Sequence, residues 1–359
     1  MGHPAPPRRC RLPAEWEEQS AVMLTWPHPG TDWAADLPAV ETLYTRIVEA
    51  VAPRERLLVV CVDADHRNDV RSRLEHCPGV AESALVWAHA PSDDTWARDH
   101  GPLCVLDADG RPRLLDFRFN GWGGKFPAER DDRITGDLHR QGVFGGVERA
   151  AVDLVLEGGA VETDGRGTLL ATRSSVLAET RNPGLDAAAL EDRLAGLLGI
   201  RRFLWLDHGA LAGDDTDGHI DTLARFADPG TIVHVSCRRG DPDAREIGAM
   251  TAELSALRTA EGRPYRLVPL PPPGPHQGSD GRPLAASYAN FLIVNGAVLV
   301  PVYGDPADQE AVETLAHCFP GRRAIPVDCR PLIRQNGSLH CVTMQLPAAL
   351  RLPAGPAAA

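Results

Sequence analysis

What most narrows the fold is the lack of any seam: strand-length apolar runs and helical stretches alternate along all 359 residues, with no low-complexity linker between them. Leu57–Val62 (Leu-Leu-Val-Val-Cys-Val) reads as a buried strand, and a helical stretch follows near 65–77. Ala187–Leu198 carries Leu190, Leu194, Leu197 and Leu198 at helical spacing. Asp305-Pro306 predicts a helix opened by a capping Asp with Pro at its first position, running to about Cys318. Between 289 and 303, two apolar strands flank Asn295-Gly296, the preferred pair for a type I′ hairpin. Asp109-Gly110 suggests a second hairpin, between Leu103–Leu106 and Arg113–Phe117, and Pro and Gly crowd 270–283 into a loop. Hairpins alternating with helices are not the strict β-α-β rhythm of a doubly wound sheet. One continuous α/β domain over 1–359 is expected, with the Pro- and Arg-rich residues 1–11 as a flexible tail. That tail lacks an apolar core and does not read as a secretory signal.

Composition excludes some partners. The formal charge of -12 argues against a nucleic-acid backbone and mildly favours a cationic ligand, although an acidic balance is also an ordinary solubility device. No run of about 18 apolar residues predicts a membrane span. Eight cysteines fall at 10, 61, 77, 104, 237, 318, 329 and 341 with wide, irregular gaps and no C-x-x-C pair, so zinc-site spacing is absent. Reduced thiols in a cytoplasmic protein are expected, most of them small buried hydrophobes. Cys341 stands apart because it follows His340 and a Gly-containing turn. No metal, cofactor or nucleotide-binding glycine loop is expected. A homo-oligomer, by default a dimer, is.

Four separated phrases carry chemistry: Trp96-Ala97-Arg98-Asp99, Glu157-Gly158-Gly159, Asp217-Gly218-His219-Ile220-Asp221 and Gly337-Ser338-Leu339-His340-Cys341. They supply one thiol, the imidazoles of His219 and His340, and several carboxylates. A thiol with a base and an orienting carboxylate is a kit for nucleophilic catalysis. The remaining carboxylates call for a cationic substrate, and a guanidinium, planar and protonated below a pKa of about 12, suits paired carboxylates. The His219-x-Asp221 spacing would put both side chains on one face of a strand. Blander readings exist for each: Cys341 as core, His219 as a turn histidine bonded to Asp217, Asp99 in an ion pair with Arg98, Asp221 as a solvated strand end, and Glu157 as a turn cap. A metal set of His219, Asp217 and Asp221 lacks ligands at local spacing.

In order, Trp-x-Arg-Asp-x-Gly-Pro, Glu-Gly-Gly, Thr-Asp-Gly-His-x-Asp and Gly-x-x-His-Cys-x-Thr closely resemble the agmatine deiminase family. Pro13-Ala14-Glu15-Trp16-Glu17, Trp26-Pro27-His28 and Ala286-Ser287-Tyr288-Ala289-Asn290-Phe291 match it too, so the resemblance spans about 12–347. It implies a five-bladed α/β propeller (pentein) of ββαβ modules. It also implies that Asp99 and Asp221 grip a guanidinium while Cys341 attacks its carbon. His219, oriented by Glu157, would protonate the departing ammonia and then activate water against a thiouronium intermediate. For agmatine, hydrolysed to N-carbamoylputrescine on the route to putrescine and polyamines, Asp215 is the family-like holder of the far ammonium. Trp96 and Trp122 would wall the aliphatic chain or stack on the cation. The approach Arg334-Gln335-Asn336-Gly337-Ser338-Leu339 replaces the family's usual glycine run, and Met344-Gln345 its Gln-Gln pair. That change keeps another guanidine, such as an aminoalkylguanidine or a peptidyl arginine, in view. So do two further classes: an amidinotransferase of the same fold and a non-catalytic binding protein.

Overall fold

The computed structural model describes residues 10–353. Cys10 and Arg11, expected within a flexible tail over 1–11, instead pair as a short strand with Asp107 and Leu106. Residues 1–9 of that tail lie outside the described residues.

One pattern recurs. Two strands pair antiparallel, a helix follows the second, and the next strand returns parallel to it. It occurs at Leu103–Asp107, Pro112–Arg118 and Glu148–Val155, and again at Glu162–Thr163, Thr168–Thr172 and Arg202–Leu206. It recurs at Ala224–Asp228, Thr231–His234 and Arg266–Pro269, and at Leu292–Val294, Ala297–Val302 and Arg323–Asp328. The last instance is split between the chain ends. Met344–Pro347 pairs antiparallel with Gln19–Thr25, which lies parallel to Arg56–Cys61 and through it to Leu85–His89. The described residues therefore form a mixed α/β fold, with five sheets of three or four strands and one two-stranded ribbon, His276–Gln277 with Pro283–Leu284, where a loop over 270–283 was expected.

The burial explains the patterns. Arg56–Cys61 is apolar on both faces because both are covered, as parallel strands require. Leu57, Val59 and Cys61 enter one core with Val40, Leu43, Tyr44 and Ile47 of the helix Leu37–Val51. Leu58 and Val60 enter the other with Met23 and Met344. The helix Ala187–Leu198 matches its expected bounds. Asp186 caps it by accepting the Ala189 N–H at 2.8 Å, and Gly199 ends it at φ 71°, where a Cβ would strike the Cys10 carbonyl.

Two local expectations fail for visible reasons. A type I′ turn needs positive φ at both central residues, but of Asn295-Gly296 only Gly296 is left-handed. Asn295 is instead drawn to the neighbouring strand, its side chain accepting the Gln19 N–H at 3.1 Å and donating to the Gln19 carbonyl at 2.8 Å. The helix at 305 starts at Asp308, because Asp305 spends its carboxylate on the Ala307 N–H and leaves Pro306 in a preceding turn.

Each hand-over between sheets is a crossing segment, and the candidate residues sit on these crossings. Asp99 lies on 90–102, Glu157 on 156–161, His219 and Asp221 on 207–223, and Cys341 on 329–343. The fourth crossing, 270–291, supplies Asn290. Beneath them Arg225, fully buried, donates to Glu162 at 2.7 Å, Glu15 at 2.5 Å and the Phe291 carbonyl at 2.9 Å. It thereby ties an N-terminal segment to three sheets. No helix among the described residues is long and apolar enough to cross a membrane. Arg225→Met should cost about 3–5 kcal/mol, since it strands two buried carboxylates. Urea unfolding measures this, and a loss below about 1 kcal/mol would show that the cluster does not anchor the fold.

Candidate active site

A cavity of about 290 Å³ opens over Cys341. Its wall includes Asp99, Trp96, Trp122 and Asp215, with Asn336 and Gly337 from the crossing that carries the thiol. His219, Asp221 and Glu157 stand immediately behind this wall and are almost wholly buried. The structure thus brings together every residue singled out from the four phrases.

Asp99 is on the helical turn Ala97–His100. Its Oδ1 accepts the Gly159 N–H and its Oδ2 the Trp122 indole N–H, both at 3.0 Å. Trp122 is therefore more than a wall, since it holds the carboxylate from a left-handed backbone (φ 56°) between glycines. His219 Nδ1 lies 3.7 Å from Asp99 Oδ1. His219 and Asp221 are not on a strand. His219 caps the short 3₁₀ turn Ile220–Thr222, and Asp214 braces the loop before it through the Thr216 hydroxyl (2.6 Å) and Gly218 N–H (2.7 Å). Asp217 is spent on Lys125, at 2.7 Å, and on Arg181, which leaves it unbonded to the His219 ring.

Gly159 sits at the centre of these groups. A Cβ there would lie 2.8 Å from Asp99 Oδ1, 2.8 Å from His219 Nδ1 and 3.1 Å from Asp221 Oδ2. Glu157, expected to orient His219, directs one oxygen to the buried Arg181 at 3.0 Å, while the other has no hydrogen-bond partner among the described residues. Its influence on His219 is electrostatic.

Cys341 is gripped by Asn290. The amide donates to Sγ at 3.3 Å, and its oxygen accepts the His340 N–H at 2.8 Å. Sγ is 3.8 Å from Asp221 Oδ2, and Asp221 Oδ1 is buried with no hydrogen-bond partner among the described residues. Trp96 packs on Gly337, where a Cβ would meet its ring at 2.1 Å, and its indole N–H is fixed by Asp94 at 2.9 Å. Asp215, half of the Asp214-Asp215 pair, accepts from Asn336 at 2.8 Å, and Asn336 accepts from Arg282 at 2.8 Å.

The electrostatics favour a cation. Burial pushes the Asp99 carboxyl up to about 6, with Asp221 and Glu157 adding to the rise and His219 opposing it. Burial, then Asp221 and Asp99, raise the Cys341 thiol well above its ordinary value. Burial opposes a charged His219, yet Asp99, Glu157 and Asp221 together hold its pKa above normal. Burial also raises Asp215. A delocalised cation between Asp99 and Asp221 would relieve all of these at once.

Sequence reasoning missed Asn290, Gly159, Arg181 and the partners of His340. Asn290 and Glu15 lay inside phrases already singled out, but nothing in a linear pattern says which residue of a phrase meets the thiol.

The geometry defines a mixed α/β protein with a thiol, an imidazole and unpaired carboxylate oxygens at one cavity. The chain belongs to the Porphyromonas-type peptidyl-arginine deiminase family, whose model matches residues 11–347. It is 33% identical to the agmatine deiminase of Pseudomonas aeruginosa, over 94% of this chain and 95% of that one. A Porphyromonas gingivalis structure, provisionally named an arginine deiminase, is 49% identical, covering 95% of this chain and 99% of its own, with a TM-score of 0.88. An agmatine deiminase from C. jejuni, solved with substrate bound, is 32% identical, with coverage of 95% and 97% and a TM-score of 0.86.

Gly159→Ala should lower turnover at least about 100-fold, because displaced groups at a reacting centre lose orientation, while thermal unfolding moves little. Full activity in this variant would show that the three groups need not stand as observed.

Proposed function

We propose that the protein is an agmatine deiminase that hydrolyses agmatine to N-carbamoylputrescine and ammonia. The observation that carries this is the Cys341 thiol beside two buried carboxylates, Asp99 and Asp221, of which Asp221 keeps one oxygen unpartnered. The agmatine deiminases among its relatives support the choice of substrate.

Asp99 and Asp221 take the guanidinium nitrogens and set its plane against Cys341. Its positive charge offsets both carboxylates, and the thiol gives up its proton to solvent while His219 stays protonated. The thiolate adds to the guanidino carbon, and the tetrahedral adduct accepts a proton from His219 on one amino group. Ammonia leaves, and a thiouronium remains on Cys341. His219, now neutral, takes a proton from water as it adds to that carbon; on collapse the hydroxyl proton of the adduct goes to the departing thiolate, which frees the neutral ureido group and restores the Cys341 thiol. Trp96 and Trp122 flank the chain, and Asp215 holds the far ammonium. We read the five sheets as the five blades of an α/β propeller, closed by Met344–Pro347 on Gln19–Thr25. The eight cysteines are all free thiols, which supports a cytoplasmic setting.

A second reading has one specific observation behind it. Arg282 lines the cavity mouth beside Asn336, so a guanidine bearing a carboxylate, such as a C-terminal arginyl peptide, would find a partner there. Ammonia release should be measured with agmatine, arginine and such a peptide in parallel. We expect agmatine to dominate and Cys341→Ser to lose more than about 10³-fold in kcat. Preference for the peptide would move the substrate and keep the chemistry, whereas turnover by Cys341→Ser would end the covalent mechanism.

The pH profile supplies a second check. Asp99 must be ionised to hold the guanidinium, and its carboxyl sits at about 6 in the free protein. kcat/KM should therefore fall as pH drops below about 6, approaching tenfold per pH unit, with no loss from this group above it. A profile flat down to pH about 4 would remove Asp99 from substrate binding.

A further inference from the structure

His340 is the buried ionisable group beside the nucleophile that this mechanism leaves unused. Its ring lies between two carboxylates, with Nδ1 2.8 Å from Asp221 Oδ2 and Nε2 2.8 Å from Glu15 Oε2. All three side chains are almost fully buried. A neutral imidazole carries one N–H and can donate to one carboxylate only. At the other nitrogen a lone pair would face an anion at hydrogen-bond distance. Two protons must therefore be shared among the three groups, so that either the ring holds both or one carboxyl is protonated.

Neither carboxyl is a good place for the second proton. Glu15 Oε2 also accepts from Arg225 at 2.5 Å, and its Oε1 accepts the Ile293 N–H at 2.8 Å. Asp221 must be an anion if its unpartnered Oδ1 is to receive a guanidinium. The charged groups facing the ring are Asp221, Glu15, Arg225 and Arg98, with the thiol of Cys341 adjacent in sequence. Burial, Arg225 and Arg98 lower the affinity of the ring for its proton. Burial also opposes both carboxylates, yet Arg225 and His340 hold Glu15 below its ordinary range, and His340 with His219 does the same for Asp221. With both acids ionised and both contacts at 2.8 Å, the geometry decides for a doubly protonated ring.

We infer that His340, held as an imidazolium between Asp221 and Glu15, is a positioning residue that fixes Asp221 by one oxygen and offsets its charge beside the Cys341 thiol. The same Asp221 Oδ2 lies 3.8 Å from Sγ, so this carboxylate is the group that most directly opposes a thiolate after burial. Anchoring Oδ2 on His340 leaves Oδ1 for substrate. The inference rests on Cys341 being the nucleophile of the proposed reaction.

The test reads the thiol itself, without substrate. Iodoacetamide labelling of Cys341 is followed against pH by mass spectrometry of its peptide, for the native protein, His340→Asn and Glu15→Gln. Asn can still donate an N–H towards Asp221 but carries no charge. We expect His340→Asn to raise the labelling midpoint by about one pH unit or more and to lower kcat for agmatine more than about tenfold, with KM changed less than about threefold. An unchanged midpoint overturns the charge role. Glu15→Gln decides the matter if His340→Asn does not fold. If the imidazolium depends on Glu15, the ring loses its proton and the midpoint rises. If His340 is neutral in the native protein, only a negative charge has gone, and a fall or no change overturns the proposal. Failure of the deiminase reading would appear separately, as turnover that survives Cys341→Ser.

Discussion

The rest of the structure depends on a guanidinium the protein supplies itself. Arg225 is buried and answered by Glu15, Glu162 and a backbone carbonyl, from segments far apart in sequence. A buried charge of this kind is tolerable only when its partners are nearly complete, and removing any one strands the others. Glu15 faces Arg225 on one side and His340 on the other, so the knot that orders the core is continuous with the support of Asp221 and Cys341. A few ångströms away, Asp99 and Asp221 repeat the arrangement for a guest, as two buried carboxylates whose pairing the fold leaves unfinished. That difference in completeness separates a structural ion cluster from a binding site.

Topology explains how so many ionisable groups reach one place. Each recurring unit ends on a parallel strand, and the chain then crosses to the hairpin of the next sheet. The last strand, Met344–Pro347, pairs with Gln19–Thr25, so the fifth sheet draws on both ends of the described chain. Every crossing contributes at least one group: Asp99, Glu157, His219 with Asp221, Asn290, and Cys341. Short turns fix their directions better than long loops would, and Gly159 admits the closest approach among them. The units that carry the site are packed on both faces, as at 57–61, where Leu57, Val59 and Cys61 enter one core and Leu58 and Val60 the other.

Much of this was legible in the chain, and the remainder was hidden for physical reasons. The catalytic phrases are short and carry rare combinations of side chains, so they stand out even when their spacing in space is unknown. The helix 187–198 was readable from its leucine spacing, and the structure adds Asp186 as its cap and Gly199 as its stop. Asn295-Gly296 misled because a local turn preference yields to a side chain that ties two strands. His219-x-Asp221 misled in the same way, since spacing of two suits a strand but equally a 3₁₀ entry. Glu157 was expected to bond His219, and no pattern of residues reveals that Arg181, 24 positions later, occupies one of its oxygens. The roles of Glu15 and His340 come from contacts 325 residues apart, which only the fold creates.

The electrostatics of the site carry a consequence for its selectivity. Burial, Asp221 and Asp99 keep the free thiol protonated, and a protonated buried thiol is a poor nucleophile and a poor target for oxidants. Reactivity then requires a ligand that brings positive charge between the two carboxylates, which a guanidinium does and a neutral amide or urea does not. In the proposed reaction the product carries a neutral ureido group where the substrate carried a cation. It neither neutralises Asp99 and Asp221 nor sustains the thiolate, so the thiol regains its proton as the product loses its charge-assisted contacts with these two carboxylates. The carboxylates that seem excessive for a nucleophilic site thus perform two tasks. They select the cation on entry, and they withdraw the nucleophile once that cation has been consumed.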